Sequence, residues 1–99
     1  MEIIKQLNNR ELVLLLKGEL NSYTAPTLEE VIKNDLTDID SLIFDLKDLA
    51  YLSSAGLRII LVAQKIMNKQ GKMVLRHVNQ DIKDIFEMTG FLAVLEIED

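Results

Sequence analysis

Ser41-Leu42-Ile43-Phe44-Asp45-Leu46, followed after a short connection by Ser53-Ser54-Ala55-Gly56-Leu57 and an amphipathic stretch reaching Gln70, decides how this chain is read. The first piece is almost continuously apolar between polar neighbours, the pattern of a strand buried on both faces. The second repeats apolar residues at helical spacing over several turns. Gly71 stands where a left-handed residue is expected to close that helix. A doubly buried strand feeding a helix implies a parallel crossover, so the chain is read as α/β.

Working outward, Lys47 to Leu52 reads as a connection. Upstream, Glu2 to Leu7 and Glu11 to Lys17 flank Asn8-Asn9-Arg10. Asparagine tolerates positive φ, so this is an expected hairpin turn. Gly18 ends the second run, and Glu19 to Tyr23 reads as a loop. Thr24 is the expected N-cap of a helix that holds Pro26 in its first turn and ends near Asn34 or Asp35. Its buried side is Leu28, Val31 and Ile32. Downstream, Lys72 to Arg76 is a strand. Asn79 caps a helix running to Thr89, with Ile82, Ile85 and Phe86 inward and Gly90 at its close. A last strand is centred on Val94-Leu95-Glu96. The order is β-β-α-β-α-β-α-β: a mixed sheet with an N-terminal antiparallel hairpin and helices packed on it.

With 99 residues the chain is long enough for one domain spanning 1–99, since domains commonly run about 100–150 residues. It is 48% hydrophobic and 27% charged, with one proline and four glycines, which excludes a disordered or low-complexity chain. Cysteine is absent, which excludes disulfides, thiolate zinc sites and cysteine nucleophiles. Sixteen acidic residues against eleven basic ones leave a net charge of −5, a balance that argues against nucleic acid or an anionic membrane as direct partner. No stretch approaches the roughly 18 apolar residues of a membrane span. Met1-Glu2-Ile3-Ile4-Lys5 does not open a secretory signal, so a cytoplasmic location is expected.

The helix after Ser54 carries more than fold information. At about 100° per residue, Ile59, Ile60, Val62, Ala63, Ile66 and Met67 form one arc that is expected to face the sheet. Arg58, Gln64, Lys65, Asn68 and Lys69 lie opposite, and Leu57 and Leu61 fall among them. Two leucines one turn apart on a polar face mark an expected contact surface, although single exposed leucines are ordinary. At the helix start a serine can cap by accepting from free backbone N–H groups. The same groups and the helix dipole favour a negative charge there. A phosphate would add about −1.5 to −2 charges beside Leu57.

Other chemistries find little support. A nucleophile elbow needs glycine two positions either side of its serine, and Leu52 occupies the first of those places. The lone His77 lies just past a strand, with nothing to bring it near Ser54. Only carboxylates such as Asp45, Asp48, Asp81 and Asp84 are left for a metal, and Asp81 and Asp84 are explained as favourable charges at a helix N-terminus. The four glycines are isolated, so no phosphate-cradling loop is present and no cofactor or metal is expected.

Together, Gly18-Glu19-Leu20-Asn21, Thr24-Ala25-Pro26-Thr27-Leu28, the strand Leu42 to Leu46 and Ser53-Ser54-Ala55-Gly56-Leu57 resemble, in order and spacing, the motifs of STAS domains. This module is shared by bacterial anti-sigma factor antagonists and the cytosolic parts of anion transporters. The resemblance spans essentially the whole chain. It implies a binding module, not an enzyme, that holds an anti-sigma factor, a GHKL-type serine kinase, and so releases a sigma factor. That kinase would phosphorylate Ser54, the position after the signature aspartate, and end the interaction; a PP2C-type phosphatase would restore it. Asn21, Ser53, Ser54, Gly56, Leu57, Arg58 and Leu61 form the expected partner surface. Ser53 and Asn21 stand where the family usually carries aspartate, so two negative charges are lost beside the acceptor. The resemblance also covers a second class, non-switching adaptor subunits of transporters or signalling assemblies.

Overall fold

The computed structural model describes residues 1–98. Its first two strands, β1 (Glu2–Asn8) and β2 (Glu11–Leu20), pair antiparallel around a turn in which Asn9 takes φ 57°, as the asparagine pair led us to expect. There follow α1 (Ala25–Asp35), β3 (Ser41–Asp45), β4 (Leu49–Leu52), α2 (Ser54–Asn68), β5 (Lys72–Arg76) and α3 (Gln80–Thr89). A 3-10 turn over Phe91–Ala93 leads to β6 (Ile97–Glu98). The main sheet runs β1-β2-β3-β5-β6, parallel from β2 onward, with β4 paired parallel to β2.

Four expectations need correction. Gly18 does not end β2: with φ 102° it lets the strand shift register and run on to Leu20. The extended end of β2 pairs with β4, which turns the expected Lys47–Leu52 connection into a short extra strand. The last strand lies beyond Val94-Leu95-Glu96, because Phe91–Ala93 winds into a 3-10 turn and only Ile97–Glu98 pairs with β5. Gly71 is not left-handed. Its need is space, since a Cβ there would lie 1.9 Å from the Asp40 carbonyl oxygen. Gly90 does take the left-handed conformation, at φ 79°.

Leu12, Leu14, Leu16 and Leu20 of β2 alternate into the core, as period-two side chains must. They join Leu42 and Phe44, Met73 and Leu75, and the inward residues Leu28 and Ile32, Ile59, Ile60, Ala63 and Met67, and Ile82 and Phe86 of the three helices. β3 and β5 are buried on both faces, Ile43 and Val74 included. Since β2, β3, β4 and β5 are parallel, their carboxyl ends share one edge, and each of the helices starts from it. That edge of an open α/β sheet is where ligands and partners are commonly met.

Candidate functional site at the start of helix α2

The end of β2 builds the site. The Ser53 backbone N–H donates to the Leu20 carbonyl at 2.9 Å, continuing the β2–β4 ladder by one residue and setting Ser53 beside Asn21. Ser53 is extended (φ −93°, ψ 171°) and is the N-cap of α2; its Oγ accepts from the Gly56 N–H at a long 3.4 Å. Ser54 is thus the first helical residue, and it is exposed. No acidic residue lies in this first turn, so α2 itself supplies no countercharge to its free N–H groups and the positive end of its dipole.

Asn21 holds the neighbouring turn. Its Oδ1 accepts from the N–H groups of Tyr23 (2.9 Å) and Thr24 (3.1 Å), and its carbonyl accepts from Ala25 at 2.8 Å. Thr24, the expected cap, has a helical backbone and no side-chain capping bond; its hydroxyl donates to the Glu19 carbonyl at 2.8 Å. Asn21 Oδ1 therefore closes the turn that leads into α1, in the manner of an Asx turn, and does not cap the helix itself. An aspartate could accept the same bonds, so the substitution removes charge and keeps the turn.

Gly56 is buried, and a Cβ on it would stand 2.5 Å from Leu20 Cγ and 3.0 Å from the Leu20 carbonyl oxygen. Its lack of a side chain lets the first turn of α2 sit directly on the end of β2. Leu57 departs from the expected contact surface: it is only 4% exposed and belongs to the core. The ideal wheel had set it among polar residues, but α2 also packs on α1 and on the end of β2, which widens its buried arc. Val62 departs in the other direction, being 36% exposed, and Leu61 and Ile66 are half-buried. Arg58 is exposed, as expected. The structure therefore gathers Asn21, Ser53, Ser54 and Gly56 at one corner, runs Arg58 and Leu61 along α2 away from it, and withdraws Leu57 inward.

The sequence reading overlooked two aromatic rings. Tyr23, 91% exposed, follows Asn21 in its turn, and Tyr51, 50% exposed, lies across from Glu19 in the β2–β4 ladder. Recognising β4 would not by itself have found Tyr51, because burial along it runs in-out-out-in from Leu49 to Leu52 and does not alternate. His77, with φ 58°, has its Nδ1 2.9 Å from Asp45 Oδ1, and the structure places no hydrogen bond between it and Ser54 among the described residues. Burial pushes the Asp45 pKa up, but the His77 and Lys47 hydrogen bonds and charges outweigh that and hold it below the ordinary aspartate value. Among the described residues no group of three or more His, Asp or Glu side chains is arranged to hold a metal ion. No helix of the described chain is long and apolar enough to cross a membrane.

The fold and the corner just described define a class. The STAS domain profile matches residues 2–99, and the chain belongs to the STAS domain family. It is 34% identical over 88 residues to BtrV of Bordetella bronchiseptica, a protein named as a candidate anti-sigma factor antagonist; the match covers 87% of this chain and 76% of that one. It is 28% identical over 95 residues to the anti-sigma-B factor antagonist of Bacillus subtilis, covering 95% of this chain and 86% of that one. Among solved structures, an anti-sigma factor antagonist from Mycobacterium paratuberculosis superposes with a TM-score of 0.87 at 22% identity, over 97% of this chain and 83% of that one. The likeness in structure supports the mixed α/β fold.

Proposed function

We propose that this chain is an anti-sigma factor antagonist that acts by binding, and whose binding is switched by phosphorylation of Ser54. The observation that carries the reading is exposed Ser54 at the first position of α2, within the Ser53-Ser54-Ala55-Gly56-Leu57 signature. The names of its relatives support the antagonist role. In this reading the unphosphorylated corner of Asn21, Ser53 and Ser54, with Arg58 and Leu61 alongside, holds an anti-sigma factor that is itself a serine kinase. The sigma factor is then free. Transfer of the ATP γ-phosphoryl group to the Ser54 oxygen, with the hydroxyl proton lost and ADP released, places about two negative charges on the contact surface. The helix N-terminus tolerates that charge, so the domain stays folded while the partner is turned away. A phosphatase of the PP2C type resets it.

The test is to incubate the chain with ATP and its cognate anti-sigma kinase, map phosphate by mass spectrometry, and compare partner binding by wild type, Ser54→Ala and Ser54→Asp. Phosphate on Ser54 and loss of binding by Ser54→Asp are expected. Unmodified Ser54, with equal binding by all three proteins, would leave a non-switching adaptor instead.

A further inference from the structure

Charge is segregated along this chain. Residues 49–80 hold five of its eleven Lys and Arg and none of its sixteen Asp and Glu, so they carry +5 while the rest carries −10. All of α2 falls inside that interval. On its outer side Ser54, Arg58, Leu61 and Lys65 are spaced i, i+4, i+7 and i+11, which sets them in one stripe.

Beside the stripe runs a groove of about 510 Å³ between α2 and the segment after α3. Leu61 and Val62 line one wall, Phe91 and Val94 the other, and Arg58 and Lys65 stand on the rim. Val62 and Val94 are 36% and 55% exposed. Neither Arg58 nor Lys65 takes part in a salt bridge among the described residues. An apolar trough beside a helix, between unpaired cations, has the form of a site that receives an amphipathic helix. The rim charges select for carboxylates on that helix.

We propose that this groove docks an acidic amphipathic helical segment of a partner protein, its apolar side chains entering between α2 and Val94 and its carboxylates meeting Arg58 and Lys65. The proposal goes beyond the switch at Ser54, since the docking rests on the groove and needs no modification of the serine.

The experiment pans a display library of random peptides, about 16 residues long or about four helical turns, on the unphosphorylated full chain. Selected peptides are then titrated against wild type, Val62→Asp, Lys65→Glu and, as a charge-matched control on α1, Lys33→Glu, each first checked for folding by circular dichroism. The expected winners are rich in Asp and Glu with apolar residues at i, i+4 and i+7. Lys65→Glu and Val62→Asp should each weaken them by about tenfold or more, and Lys33→Glu by less than about twofold. Amide shifts on binding should fall on Val62, Lys65 and Val94. Neutral or basic winners, or winners that bind every variant alike, would overturn the proposal. So would groove amides that shift on simple dilution of the protein, which would assign the trough to a second copy of this chain.

Discussion

Gly56 rests directly on Leu20: a Cβ at Gly56 would lie 2.5 Å from Leu20 Cγ and 2.9 Å from Cδ2. With the Ser53 N–H to Leu20 carbonyl bond at 2.9 Å, this contact fixes where the tip of α2 stands relative to the end of β2. Everything asked of Ser54 depends on that placement.

Gly56→Ala should therefore destabilise the protein although alanine favours helix. The propensity gain is about 1 kcal/mol, whereas forcing side chain against a filled position costs about 1–3 kcal/mol. Urea denaturation should show a net loss of stability. A stabilised variant would mean that Leu20 moves aside freely.

Leu57→Ala should behave as a core mutation. Removing a side chain that is only 4% exposed should cost about 2–5 kcal/mol. Truncating Leu61, which is half-buried, should cost less and act more on binding. Denaturation midpoints measured beside partner affinity separate the two effects. A stable Leu57→Ala protein that has lost only its binding would contradict the packing described here.

Ser53→Asp tests the departure from the family signature. A carboxylate at an N-cap accepts as well as a hydroxyl and interacts favourably with the helix dipole, by about 0.3–1 kcal/mol. Ser53→Ala should lose about 0.5–1 kcal/mol, toward the low end for a cap because the existing bond is long at 3.4 Å. Thermal melts should rank Asp above Ser and Ser above Ala.

The fold was largely legible, and what was misread has physical causes. Strong periodicity in α2 and α3 and the unbroken apolar runs of β3 and β5 reveal their elements directly. β4 was hidden because four residues with two buried leucines carry too little pattern, and because a glycine that usually ends a strand here redirects one. The corner itself was readable from the capping serine and the signature. The inward turn of Leu57 was not, since a helix wheel treats one face as core and cannot know that α1 and the end of β2 bury a second flank.

Asp45 makes stability depend on acid. Its folded pKa is lower than its unfolded one, so its contribution is fully present above the unfolded value and is lost as pH falls through the folded value. Below about pH 4, near the ordinary aspartate range, wild type should lose stability more steeply than Asp45→Asn. His77→Ala, which removes the 2.9 Å partner, should flatten the same limb. Chemical denaturation across that pH range reads both slopes, and parallel curves would show that the pair does not couple to folding.

The most direct test of the switch is calorimetric titration of the anti-sigma factor with two preparations of the same chain, one unmodified and one stoichiometrically phosphorylated on Ser54. Tight binding by the first and a loss of about a hundredfold or more in the second, roughly 2.7 kcal/mol, is the predicted result, with both preparations equally folded by circular dichroism. Equal affinities would contradict it.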